Sequence, residues 1–357
     1  MGSFTRFIDL IVIVTHMPPK NSEIMEHASY FDAHSDMLEL AVEERALSKE
    51  QPLHDEFLPG MLESNIDFRL AAISVPDHLL PEMALRRALK MVTTLNNEVE
   101  DSDAFELATN ASDLEEAVGN NTRTLILGME GAEPFRGDLD VLDVFYRLGL
   151  RLITLTHARR NELADGAFYT PRQTGTRGGL TDVGVEVVER ASEKGIVIDV
   201  SHLNKIGFWD VLEFADDPIV ASHSNCRAIA DVSRNLTDDQ LRAIANSGGV
   251  TGMALVGTFI GDDASMEAFL DHVDHAVDVA GIDHVGFGFD FADYLAKYRP
   301  GWDPEDPPFG GTGVPGLDND QEIQNLAPAL QKRGYSKEEV DKLTHQNFLR
   351  VFDEILE

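Results

Sequence analysis

The chain has 357 residues, 43% of them hydrophobic, which is enough for a large core and excludes global disorder. Its 63 acidic and 29 basic residues give a formal net charge of −34, a surface that repels phosphate backbones and anionic lipid, so neither nucleic acid nor membrane is an expected partner. The bias runs to 35 Asp and 28 Glu against 20 Arg and only 9 Lys, a balance that keeps a surface hydrated where salt screens self-repulsion; we read it as adaptation to high salt.

Residues 1–27 read as an N-terminal extension, with Met25 as an alternative beginning. The apolar run Phe7–Val14 is too short to span a bilayer and lacks the basic flank and small-residue cleavage site of a signal peptide. Cys226 is the single cysteine, so no intrachain disulfide forms, which suits a cytoplasmic location. From residue 28 to 357 the chain reads as one domain. Strand-like apolar runs fall at Tyr30–Asp36, Phe68–Val75, Thr124–Glu130, Arg151–Thr156, Ile196–Ser201, Pro218–Ser222, Gly249–Leu255 and His284–Asp290. Helical periodicity fills most gaps, at Pro81–Glu100, Leu139–Leu148, Asp182–Lys194, Asp238–Asn246 and Met266–Ala280. Gly149, Gly195 and Gly281 sit where helix ends need a left-handed residue. Eight strand–helix units predict a closed (β/α)8 TIM-barrel, with a doubly wound open sheet as the alternative. Lys297–Gly316, rich in Pro and Gly, reads as a long loop after the eighth strand. Two last helices are expected at Asp320–Arg333 and Ser336–Phe352, the second opened by a Ser336/Glu339 capping box.

Polar residues cluster at the strand ends. His34 and Asp36 close the first strand and Glu130 the third; His157, His202 and His223 follow the fourth, fifth and sixth; Asp290 ends the eighth. In a barrel all these ends meet at one mouth. His34 and Asp36 are two apart, so both share a strand face and can reach one metal. A nitrogen and oxygen set without thiolate suits zinc or a similar divalent ion, and one this rich can hold two, bridged by a carboxylate. Such a pair activates water for hydrolysis. Other features carry plainer readings. His272 and His275 are expected on a surface helix face, Cys226 as a small packed thiol, and Gly286-Phe287-Gly288 as a strand end, not a nucleotide loop.

The chain resembles the renal (membrane) dipeptidase family of zinc peptidases, in a haloarchaeal-type form. The resemblance rests on Asp32-Ala-His-Ser-Asp36, Gly128-Met-Glu-Gly131, Leu155-Thr-His-Ala-Arg-Arg-Asn161, Ala164-Asp-Gly166, Asp199-Val-Ser-His202, Ser222-His-Ser-Asn225, Arg234-Asn235, Gly286-Phe-Gly-Phe-Asp-Phe291 and Asn347-Phe-Leu-Arg-Val-Phe352, in family order. It implies an amidohydrolase-like barrel with two zinc ions: His34 and Asp36 on the first, His202 and His223 on the second, Glu130 bridging. It also implies that His157 contacts the substrate and its tetrahedral intermediate, that Arg234 holds a substrate carboxylate or carbonyl oxygen, and that Asp290 shuttles a proton. The sequence departs from the family at Asp290-Phe-Ala-Asp293, where Asp-Phe-Asp-Gly is usual, and at His345-Gln-Asn347, where Gly-Gly-Asn is usual. Met253-Ala-Leu-Val-Gly257 also lacks the aromatic substrate contact of mammalian members. The expected activity is dipeptide hydrolysis, with N-acyl amino acids, lactones or cyclic imides as the alternative substrates and a homodimer left open.

Overall fold

The computed structural model describes residues 28–117, 122–167, 178–299 and 311–356. The N-terminal extension and most of the loop after the eighth strand lie outside the described residues. Eight parallel strands run β1 (Tyr30–Ser35), β2 (Ile66–Ser74), β3 (Phe105–Ala108), β4 (Arg123–Glu130), β5 (Leu150–Thr154), β6 (Val197–Asp199), β7 (Thr251–Met253) and β8 (Val285–Phe287). They pair in the order β6-β5-β4-β2-β1-β8-β7, with β3 branching off β4. Val220 bridges Asp199 and Ala221 bridges Thr251, both parallel, so the segment between β6 and β7 closes the ring. The closed barrel is therefore the architecture, and the open sheet is excluded.

One expected strand needs correction, and two elements were not anticipated. Pro218–Ser222 forms single bridges on each side instead of a laddered strand. It is wedged between β6, β7 and the residue after β8, where Gly252 and Gly288 leave room: a Cβ on either would lie 2.0 or 2.1 Å from the Ser222 carbonyl oxygen. β3 was not expected, because four residues show no period. It pairs with the first half of β4, Phe105 to Arg123 through Ala108 to Ile126, and β5 takes the second half. The helix Met37–Ala46 was also unanticipated. It buries Glu39 and Glu44 along with its apolar residues, so no polar stripe marks it.

Within the ring, one cluster draws Phe31, Phe68, Leu70, Ile126, Leu152, Val197, Val220 and Val250 together with Phe348 and Phe352 of the last helix. Above these, register aligns Ser74, Glu130, Thr154 and Asp199 in one row. β1 carries a register shift: Asp32 pairs with Arg69, but Ser35 pairs with Ala71. Three steps on β1 match two on β2. The extra residue turns His34 onto the inner face, away from the outer side shared by Asp32 and Arg69. Gly149, Gly195 and Gly281 take φ of 107°, 65° and 92°, as their positions required. The Ser336/Glu339 capping box is present, but a π-turn at Lys342–Gln346 interrupts the expected helix before Asn347–Ile355. No helix among the described residues is long and apolar enough to cross a membrane.

Candidate active site

The residues anticipated at the strand ends do converge. Around Glu130, at the end of β4, the Oε1 atom lies 2.9 Å from His202 Nε2, 3.3 Å from His223 Nε2 and 3.6 Å from His34 Nε2. Its Oε2 lies 4.0 Å from His157 Nε2. His34 Nε2 also stands 3.9 Å from Asp36 Oδ1 and 3.8 Å from Asp290 Oδ1. Three potential metal-holding groups overlap here: His34, Glu130 and His223; Glu130, His157 and His202; and His34, Asp36 and Asp290. His34, His202 and His223 are buried, whereas the His157 side chain is 32% exposed and that of Asp290 17%.

The chain holds these groups at a cost. His202 and Asp290 adopt φ of 66° and 59°, a region that residues with a Cβ seldom enter and that concentrates at functional sites. Behind them, Asp199 accepts from the Thr154 and Ser222 hydroxyls, both 2.6 Å, and from the Ser201 and Ser222 amides, both 2.9 Å. With Ser222 donating to Asp199, its oxygen accepts from His223 Nδ1–H at 2.7 Å, which leaves the His223 Nε2 lone pair directed at Glu130. Arg234 is buried. It donates from Nη1 to Ser224 Oγ and from Nη2 to the His223 carbonyl, both 2.6 Å, and lies 5.4 Å over the Phe259 ring. Its Nε has no hydrogen-bond partner among the described residues.

The electrostatics are those of a site built for cations. Burial, then the positive field of Arg234, drives His202 well below the ordinary imidazole range. Burial, then His34 and Arg234, does the same to His223, so both rings favour the neutral form, the one that can hold a cation. Burial works against the charge of Glu130, but His34, His157 and His202 outweigh it and hold the carboxylate well below its usual range. Asp290 is raised to about 7, chiefly by burial and further by Asp36 and Glu130. Two observations fit a metal without reference to any relative. His34 Nε2 and Asp36 Oδ1 are buried with no hydrogen-bond partner, and His202 Nε2 sits 2.8 Å from His223 Nε2, two ring nitrogens brought to one place. The donors are all nitrogen and oxygen, the set that suits zinc-like divalent ions.

Three expectations outside the site are settled as well. His272 is not on a surface: it is buried, accepts from the Cys226 amide at Nδ1 (3.0 Å) and donates from Nε2 to the Ile260 carbonyl (3.0 Å), tying its helix to two turns. His275 pairs with Asp238 at 2.8 Å while partly buried. Cys226 is a packed thiol, pushed up to about 12 by burial. Sequence reasoning missed Arg299, whose Nη2 lies 3.3 Å from Asp36 Oδ2, and the buried Asp32–Arg69–Asp320 chain under β1. The first sits in a loop without period; the second depends on which face Asp32 takes.

The sequence profile of the membrane dipeptidase family, peptidase family M19, matches residues 19–357. The chain belongs to this family. Metal-dependent hydrolysis of dipeptides is accordingly its activity. The crystal structure of a dipeptidase AC, a metallopeptidase of family M19, superposes with a TM-score of 0.81 at 30% identity, covering 93% of this chain and 99% of that one. A Rhodobacter sphaeroides metallopeptidase, solved with a phosphinate mimic of the dipeptide L-Ala-D-Ala, gives 0.81 at 28% identity over 92% of this chain and all of its own (100%). Among sequences, an uncharacterized protein from the pqqA 5′ region of Klebsiella pneumoniae is 32% identical over 70% of this dipeptidase and 89% of its own length. The dipeptidase tcpJ of Claviceps purpurea is 28% identical over 71% of this chain and 56% of its own length.

Proposed function

We propose that this dipeptidase works with two zinc ions, the first of which would be held by His34 and Asp36 and the second by His202 and His223, with Glu130 shared between them. The observation that carries this reading is the convergence of the His34, His202 and His223 Nε2 atoms within 3.6 Å of a single Glu130 oxygen. When bound, such a pair acidifies a water and polarises the scissile carbonyl. The chain's own residues do the rest. Asp290, partly exposed and raised toward neutrality, takes the proton of the attacking water and returns it to the departing amine. His157, the exposed histidine of the four, stands beside the carbonyl carbon as it becomes tetrahedral and stabilises the charge that grows on its oxygen. Arg234, fixed to the His223 carbonyl and Ser224, offers its remaining N–H groups to the substrate's terminal carboxylate. The substrate is then a small dipeptide with a free C-terminus; the mimic bound to the Rhodobacter relative supports that size.

Metal analysis together with a panel of dipeptides, tripeptides, N-acyl amino acids and lactones at high salt tests the reading. Two ions per chain and fastest turnover of free-acid dipeptides are expected. Full activity with one ion or none overturns the two-ion site, and a preference for lactones or N-acyl amino acids overturns the substrate assignment. Glu130→Gln is expected to weaken both ions together.

A further inference from the structure

Three consecutive residues after β8 each pair with a buried carboxylate at or near the helix Met37–Ala46. Lys297 Nζ donates to Glu44 Oε1 at 2.6 Å, and the Tyr298 hydroxyl donates to the same oxygen. Arg299 forks onto Glu39, Nε to Oε1 at 3.0 Å and Nη2 to Oε2 at 2.6 Å, and its Nη2 also reaches Asp36 Oδ2 at 3.3 Å. Asp36 thus has one oxygen on Arg299, while its other, Oδ1, is buried without a partner 3.9 Å from His34 Nε2.

We propose that Arg299 is a positioning residue for the metal site: it occupies Asp36 Oδ2, so that Oδ1 alone is presented beside His34. The inference rests on the two-ion reading and adds to it a residue outside the five proposed ligands. The chemistry favours arginine here. A planar fork holds Glu39 bidentately and still has a proton for Asp36, and Glu39 balances its charge, so the neighbouring cation meets an ion pair and not a lone positive group. Glu39 lies one turn after Asp36, and the register of the helix sets the distance the fork must span. Outer partners of ligating carboxylates and histidines are typically worth about 10–100-fold in metal affinity.

The test is staged chelator competition on zinc-loaded full-length protein, following release of each ion, with Asp36→Asn identifying the phase that belongs to the first site. Arg299→Lys keeps the charge and loses the fork; it is expected to weaken the first ion about tenfold and leave the second unmoved, and Arg299→Met to weaken the first by up to about 100-fold. Equal weakening of both ions, tracking a fall in Tm, shows a merely structural clasp and overturns the proposal. So does an unchanged first phase in Arg299→Lys, which decides the matter alone if Arg299→Met does not fold. A wild-type protein that releases a single ion in one phase fails the two-ion reading and takes this inference with it; two wild-type phases that neither variant shifts overturn the inference alone.

Discussion

The Nδ1 of His223 lies 2.7 Å from the hydroxyl oxygen of Ser222, and that hydroxyl stands 2.6 Å from Asp199 Oδ2. This relay sets which His223 nitrogen carries the proton. Ser222→Ala removes it and frees the ring to flip or to change tautomer. Zinc retained after dialysis is expected to fall by one ion per chain, with affinity at the His202–His223 side down about 10–100-fold. Retention of both ions at wild-type affinity would show that packing alone orients the ring.

The proton-transfer role proposed for Asp290 can be tested apart from metal holding. Asp290→Asn keeps the shape but cannot carry a proton. Folding and zinc content are expected to stay near normal while kcat falls about 10²–10⁴-fold. The pH profile follows from the same group. Its carboxyl is raised to about 7 in the metal-free chain by burial, and only the ionised form accepts a proton. Activity is therefore lost as pH falls. Bound cations favour the charged form, so the midpoint of this acid limb is expected below 7. A wild-type rate flat across that limb, or an Asn variant retaining most turnover, rejects the assignment.

Arg234 predicts selectivity for free acids. If its spare N–H groups meet the terminal carboxylate, C-terminal dipeptide amides lose a charge-assisted hydrogen bond of about 1.5–3 kcal/mol, a ten- to hundredfold fall in kcat/KM. Steady-state kinetics on matched acid and amide pairs measure this directly. Equal rates on both would confine Arg234 to its bonds with His223 and Ser224.

The charge of −34 predicts strong salt dependence of stability. The screening length falls from about 10 Å at 0.1 M to about 3 Å at 1 M salt, which removes most repulsion between surface carboxylates. Thermal melts are expected to show Tm climbing steeply up to molar salt. A flat Tm would set aside the high-salt reading of the composition without touching the catalytic one.

Most of the strand pattern and the convergence of the candidate site residues were legible in the sequence because both are local. Seven of the eight strands, β3 being the exception, are apolar runs, and Glu130, His157, His202 and His223 break or follow such runs at ends that any parallel barrel gathers at one mouth. The same local view misplaced His272, whose acidic neighbours Asp271 and Asp274 mark a surface while its own ring is buried against Cys226 and Ile260. Tertiary structure alone decided three things. Ring closure runs through the single bridges of Val220 and Ala221, a matter of backbone approach past Gly252 and Gly288. The inward face of His34 comes from a one-residue register shift against β2, which a period-two reading of β1 cannot see because the partner strand defines it. The grip of Arg299 on Asp36 joins residues 263 positions apart, in a loop whose sequence has no period to read; long-range docking is settled by what the folded barrel brings within reach, not by local preference.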